Sequence, residues 1–306
     1  MYRGIIPPLA TPLIDQDSID PAGLERLIEH TLDGGVQALF VLGTTGEAPS
    51  LSREVRLDMV RMCCRLVRNR VPVLVGITDT AFGEAVKLGH TAAEAGASAV
   101  VVAPPYYFRY SQQELFHYIE LLAHELRLPI VLYNIPQYTK VEYSVQTVAR
   151  ASQIPGVIGI KDSAGDMTYL ARVIAEVSTR PDFGVLIGPE EKLVEGLHAG
   201  ACGGVCGGAN LFPRLFAQTY EAAMKEDWTE AERLQQIVRQ VSAMLYQVGD
   251  LESSYFRGLK TALAIENICP DLLALPFAQC SAEERELIER GLERVRAAVQ
   301  ADPVIT

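Results

Sequence analysis

Eight short apolar runs, each followed by an amphipathic stretch, repeat across the first two-thirds of the chain, and this alternation limits the fold more than any other feature. The runs span residues 4–11, 38–42, 73–76, 99–103, 130–134, 157–162, 184–188 and 204–207. Most are rich in Val, Ile and Leu, as expected of strands buried on both faces. The stretches between them, 21–33, 53–67, 82–94, 112–125, 144–151, 167–177 and 190–198, carry Leu, Ile, Val and Ala at three- and four-residue steps, the period of a helix with one buried face. Ser52, Ser111 and Asp166 stand where N-caps belong. Eight successive βα units predict an α/β fold, a (β/α)₈ barrel that closes near Gly208. Beyond it the pattern is helical over 213–225, 229–245, 255–266 and 282–299. The expected division is therefore a barrel over 1–212 and a helical C-terminal region over 213–306 packed on it. A doubly wound open sheet explains eight successive strands less well, and no GxGxxG follows the first run.

Charge and composition narrow the function. The formal net charge of -11 argues against the basic stripe of a nucleic-acid binder. No stretch approaches the length of a membrane span. Residues 1–10 lack a basic n-region and a long apolar run, so no signal peptide is expected. The six cysteines then read as reduced thiols of a cytoplasmic protein. Cys202 and Cys206 lack a second Cys or His pair at zinc spacing. The five histidines form neither an HExxH helix nor a facial triad. His117 and His124, seven apart on one predicted helix, are expected to face solvent or to pack. No metal and no cofactor are expected.

A barrel of this kind carries its chemistry at the C-terminal ends of its strands. Strand two ends in Gly43-Thr44-Thr45-Gly46-Glu47, strand five in Tyr133-Asn134 and strand six in Lys161-Asp162. Side chains alternate along a strand, so simple alternation puts Lys161, Gly159 and Val157 on one face. If that face is the interior, Lys161 projects into the barrel mouth as a partly desolvated, nucleophilic amine. A lysine that snorkels out of the strand end, or pairs with a buried carboxylate, fits the same spacing. Neighbouring strands lie about 4.8 Å apart, so the Tyr133 phenol can reach the amine and carry protons. Taken alone, Tyr133 is equally an aromatic core residue. The GTTGE turn offers two hydroxyls and convergent backbone N–H groups, a fit for a carboxylate, and reads otherwise as an ordinary strand-to-helix turn. A second glycine-rich loop, Gly203-Gly204-Val205-Cys206-Gly207-Gly208, follows strand eight. It holds no Lys or Arg, so a phosphate site is not favoured there.

These motifs, GTTGE at 43–47, PPYY at 104–107, YNIP at 133–136 and GIKDS at 159–163, resemble the dihydrodipicolinate synthase and N-acetylneuraminate lyase family over essentially the whole chain. The resemblance implies a barrel, usually tetrameric, that forms an imine between a lysine and the keto group of pyruvate or another 2-oxo acid. It implies that Lys161 is the imine-forming lysine and Tyr133 the proton carrier. By the same match Thr44 and Thr45, between Gly43 and Gly46, hold the carboxylate and join the relay. Tyr107 matches a tyrosine that enters from a neighbouring subunit in many members. A protonated imine is an electron sink, so the adjacent carbon can lose a proton or a carbon substituent.

Two departures bear on the substrate. The family's dihydrodipicolinate synthases carry an arginine two residues after the YNxP proline, which binds the carboxylate of the aldehyde partner. Tyr138 stands at that position, and Lys140 replaces the usual following glycine. A point charge substitutes poorly for a guanidinium fork. Strand seven runs into Gly188-Pro189-Glu190-Glu191, similar to a segment that binds sugar hydroxyls in the neuraminate lyase branch. Carboxylates accept several hydroxyl donors, although acids also belong at a helix N-terminus for dipole reasons. GTTGEAPSLS is similar to 2-keto-3-deoxygluconate aldolases of the family, and Arg109 matches a substrate-contacting arginine in some of them. The leading expectation is a class I aldolase or lyase, a homodimer or homotetramer. It would cleave a 2-keto-3-deoxy sugar acid to pyruvate and an aldehyde, or condense them. The competing expectations are dihydrodipicolinate synthase itself, a Schiff-base dehydratase, and a non-catalytic 2-oxo-acid-binding regulatory protein. A mere binder has no need of the Lys161, Tyr133, Thr44 and Thr45 set.

Overall fold

In the computed structural model, which describes residues 1–302, eight parallel strands run in the predicted order. They are β1 (Gly4–Ile5), β2 (Leu39–Val41), β3 (Val73–Gly76), β4 (Ala99–Val102), β5 (Ile130–Asn134), β6 (Val157–Asp162), β7 (Gly184–Ile187) and β8 (Gly203–Gly204). From β2 to β8 each strand pairs with the next in sequence, and β8 pairs with β1. The seam between β1 and β2 is closed by hydrogen bonds from Leu9 N–H to Phe40 O (2.8 Å) and from Phe40 N–H to Pro7 O (3.0 Å). The result is the (β/α)₈ barrel.

β1 is shorter than its apolar run because Pro7 and Pro8 have no N–H to give to a ladder. β8 is short because the chain turns at once into a 3₁₀ turn, Gly207–Asn210. A small antiparallel hairpin, Leu13–Asp15 with Ser18–Ile19, joins β1 to the first helix and has no clear sequence signature.

The strands separate two apolar layers. Ile6, Phe40, Leu74, Val101, Val131 and Leu186 fill the barrel interior, while the outward side chains pack under the helices. Seven helices follow the first seven strands: α1 (Pro21–Asp33), α2 (Arg53–Val67), α3 (Phe82–Glu94), α4 (Gln112–Glu125), α5 (Val145–Ala151), α6 (Met167–Val177) and α7 (Leu193–His198). Ser52 caps α2 and Asp166 caps α6; Ser111 and Glu114 form a reciprocal capping box on α4. His117 and His124 lie exposed on α4 beside Glu120 and Glu125.

The helical segment from Pro213 onward divides by its contacts. α8 (Pro213–Met224) packs on β1, α1 and α7 and so takes the eighth place in the ring around the strands. α9 (Trp228–Leu245) lies on α7 and α8, and α11 (Ala282–Gln300) on α9 and α10 (Ser254–Ile265). Residues 303–306 of the expected C-terminal region lie outside the described residues. Among the described residues no helix is long and apolar enough to cross a membrane.

β6 departs from simple alternation. Ile130 pairs with Val157 but Val131 pairs with Gly159, so Ile158 is an extra residue on the β6 side. This bulge turns Val157 into the outer layer and Ile158 toward the interior. Lys161 therefore shares its face with Gly159 but not, as strict alternation predicts, with Val157.

Candidate active site

Past the bulge, β6 delivers Lys161 to the barrel mouth between Tyr133 of β5 and Leu186 of β7. The lysine is 5% exposed. Its Nζ lies 4.0 Å from the centroid of the Tyr133 ring and 5.3 Å from that of Phe40. It makes no ion pair or hydrogen bond among the described residues, so it neither snorkels out nor answers a buried carboxylate. A buried lysine left with ring faces is poorly explained by stability, since an unpaired buried charge is costly. The next residue, Asp162, accepts from Asn134 Nδ2 at 2.8 Å, and Asn134 Oδ1 accepts from Tyr143 N–H at 3.1 Å. This pins the ends of β5 and β6 together. Burial pushes the Asp162 carboxyl up to about 6, against the pull of the Asn134 bond.

The GTTGE turn lies across the mouth from the lysine. Its flanks, Leu42 and Glu47, take left-handed φ values of 58° and 56°, which non-glycine residues adopt only when their surroundings hold them. A Cβ at Gly43 would stand 2.6 Å from the Phe40 ring, so the close approach requires glycine there. Thr44 Oγ1 lies 3.2 Å from the Tyr133 hydroxyl, and Thr45 Oγ1 lies 2.9 Å from the hydroxyl of Tyr255 on α10. Glu47 points away into the core. Its carboxylate meets Lys260 Nζ at 2.6 Å and accepts from Ala274 N–H at 2.8 Å.

A cavity of about 360 Å³ opens on Lys161. Thr44, Thr45 and Tyr133 line it together with Glu190, Glu191, Ser242, Tyr246, Gln247 and Tyr255. Tyr138 and Gly207 also border it. Glu190 is buried. One of its oxygens accepts from Gly208 N–H at 2.7 Å, and burial together with the neighbouring Glu191 charge pushes its carboxyl up to about 8. It is therefore mainly a neutral acid at pH 7. Glu191 is exposed and accepts from Ser242 Oγ. Tyr138 is 56% exposed on a short helix, Pro136–Thr139.

Four sequence candidates do not line this cavity within one chain: Gly43 and Gly46 of the turn, and Tyr107 and Arg109. Tyr107 is 86% exposed, with φ 89°, and stacks edge-on against Phe108 at 5.1 Å. Arg109 is exposed beside it. A second, mainly apolar cleft of about 340 Å³ adjoins the Tyr133–Thr44 pair, with Val101, Ala103, Phe256 and Phe277 in its walls. Conversely, Ser242, Tyr246, Gln247 and Tyr255 escaped the sequence reading. They come from the C-terminal helices and their connecting segment, where an aromatic beside a helix reads as packing. Among the described residues no group of three or more His, Cys, Asp or Glu side chains is placed to hold a metal ion.

The dihydrodipicolinate synthetase family model matches residues 1–295. The 4-hydroxy-tetrahydrodipicolinate synthase of Methanothrix thermoacetophila is 33% identical over 296 residues, which cover 96% of this chain and 97% of that relative. The enzyme of the same name from Rhodospirillum centenum is 31% identical, covering 95% of this chain and 98% of its own. Among solved structures, dihydrodipicolinate synthase from Bacteroides thetaiotaomicron superposes with a TM-score of 0.93 at 49% identity, covering 95% of this chain and 98% of that one. YagE, a prophage protein of the dihydrodipicolinic acid synthase family from E. coli K12 solved in complex with pyruvate, gives a TM-score of 0.92 at 28% identity, covering 97% and 99%.

Proposed function

The chain belongs to the dihydrodipicolinate synthetase family of Schiff-base-forming lyases and synthases, and from that premise we propose that it is a class I aldolase that cleaves a 2-keto-3-deoxy sugar acid to pyruvate and an aldehyde. The Lys161 amine attacks the keto carbon and water leaves, giving an imine. With the imine protonated, the C3–C4 bond breaks, its electron pair flows toward nitrogen, and the C4 hydroxyl loses its proton as the aldehyde departs. Protonation of the resulting enamine at C3 and hydrolysis release pyruvate and restore the lysine. Tyr133, bonded to Thr44, moves the protons at the imine. Thr45 and the backbone of the GTTGE turn hold the substrate carboxylate.

The observation that carries the choice of substrate is the lining of the Lys161 cavity. Beside the lysine itself it presents hydroxyls, the amides of Gln137 and Gln247, and two acids, but no second cation. An aldehyde bearing a carboxylate would meet the Glu191 carboxylate with no guanidinium to clamp it, because Tyr138 stands at the arginine position. A hydroxylated aldehyde instead gives its donors to Glu191, Ser242 and Gln247, with Glu190 as a neutral acid beneath them. Purified protein assayed side by side is expected to show a higher kcat/KM for 2-keto-3-deoxy sugar acids than for condensation of pyruvate with aspartate semialdehyde. Glu191→Gln is expected to raise KM for the sugar acid by about 5- to 10-fold, the size of one ordinary hydrogen bond, with less effect on pyruvate imine formation. Robust condensation with no cleavage of any sugar acid would overturn this assignment. It would favour the second reading, 4-hydroxy-tetrahydrodipicolinate synthase, the name its curated relatives carry. Lys140 or Arg109 would then have to supply the missing charge.

Tyr107 completes the relay from a second copy of the chain in this account. Its exposure, and the apolar cleft beside Tyr133 and Thr44, suit an exchange of aromatic side chains between subunits of a dimer or tetramer. Dilution or interface substitutions that yield folded monomers are expected to lower kcat. A fully active monomer would remove Tyr107 from the site and leave the imine untouched. The protein is expected to act in the cytoplasm, where pyruvate and reduced thiols are both present.

A further inference from the structure

We propose that Tyr255, a residue of α10 outside the barrel strands, is a substrate-positioning residue: its phenol fixes the Thr45 hydroxyl so that Thr45 donates its proton to the carboxylate of the bound 2-oxo acid. This rests on the reading above that Thr45 grips the carboxylate.

Thr44 and Thr45 are adjacent, yet each is met by a different tyrosine. Tyr133 comes from β5 inside the barrel, and Tyr255 comes from α10 outside it, at 2.9 Å from Thr45 Oγ1. Both phenols line the Lys161 cavity. A threonine hydroxyl has one proton and two acceptor positions. Burial pushes the Tyr255 phenol well above its ordinary value, so it keeps its proton and has one to donate to Thr45, although either oxygen can be the donor at 2.9 Å. Once Thr45 accepts that proton, its own is free for a ligand. Without Tyr255 the Thr45 hydroxyl is free to rotate and turn its proton elsewhere.

The fold makes room for this phenol at one specific place. A Cβ built on Gly207 would stand 1.9 Å from the Tyr255 hydroxyl oxygen. The phenol thus occupies the volume that any side chain at 207 would need. Gly207 has no positive φ to hold it as glycine, so the space for Tyr255 is what demands a glycine there. The ring is held from behind by Tyr246, whose centroid lies 4.9 Å away in an edge-on contact. A second tether, Lys260 to Glu47, joins the same helix to the far end of the same turn.

Two variants break the contact from opposite sides. Tyr255→Phe removes only the hydroxyl and keeps the ring packing. Gly207→Ala leaves the phenol chemically intact but displaces it from Thr45. The readout is the pyruvate concentration that gives half-maximal labelling of Lys161 under borohydride, which involves no aldehyde substrate. Both variants are expected to raise that concentration roughly 10-fold, as for loss of a hydrogen bond to a charged group, and to reach the wild-type extent of labelling at saturation. The thermal midpoint of Tyr255→Phe is expected to stay close to wild type, so that a general loss of structure is excluded for that variant. If one variant does not fold, the other decides. Wild-type half-labelling in a folded variant would overturn the role of Tyr255, while wild-type protein that pyruvate does not label at all would overturn the imine reading itself.

Discussion

Lys260→Met is expected to destabilise the protein by about 3–5 kcal/mol, the usual consequence of stripping one partner from a buried ion pair. Lys260 and Glu47 are 2.6 Å apart, with side chains 2% and 0% exposed. The ammonium also donates to Leu272 O at 2.6 Å, and the carboxylate accepts from Ala274 N–H. The pair thus ties the catalytic turn to α10 and to the segment that follows it. Removing the lysine leaves the Glu47 carboxylate in the core with a single backbone donor. Replacing both residues, Glu47→Met with Lys260→Met, is expected to recover part of the loss, because no uncompensated charge remains. Urea unfolding of the wild type, both single variants and the double variant measures the coupling. A cost below about 1 kcal/mol for Lys260→Met, the range of exposed pairs, would mean that water reaches the pair.

Tyr133→Phe is expected to lower kcat by about 10²–10⁴-fold, the range for loss of a general acid–base group, with a much smaller effect on the concentration dependence of pyruvate labelling. The substitution keeps the ring that Lys161 Nζ approaches at 4.0 Å and deletes only the hydroxyl bonded to Thr44. It complements Tyr255→Phe, which acts on the grip of the acid rather than on the protons of the imine. Steady-state kinetics on the cleaved sugar acid and pyruvate titration of the labelling separate the two. An unchanged kcat would make Tyr133 a packing residue.

The strand-helix repeat and the strand-end motifs were legible in the sequence because they are local. A short apolar run of Val, Ile and Leu suits a strand buried on both faces, as in a parallel sheet, and eight of them alternating with helices predict a barrel. Lys161 and Tyr133 could be placed side by side from strand geometry alone, and they are paired in register. The bulge that moves Val157 to the outer layer was not legible, since a single extra residue leaves no mark in a run of apolar side chains. Nor was the burial of Glu190, whose acidity looked like an ordinary helix start until Gly208 and Tyr246 were seen to enclose it. Tyr255 lies 210 residues from Thr45 in the chain. A contact of that span, made by an aromatic on a helix that elsewhere faces the core, carries no local signal. Tyr107 and Arg109 were recognised only by resemblance, and within one chain both stand in solvent.

The central claim is that Lys161 forms the imine. The direct measurement is to incubate the protein with pyruvate and borohydride, digest it and determine the mass of each peptide. One reduced pyruvyl group is expected on the peptide that contains Lys161, absent without pyruvate and lost in Lys161→Ala. Labelling that persists to the wild-type extent in Lys161→Ala, or a folded wild-type protein that takes up no label at saturating pyruvate, would contradict the account.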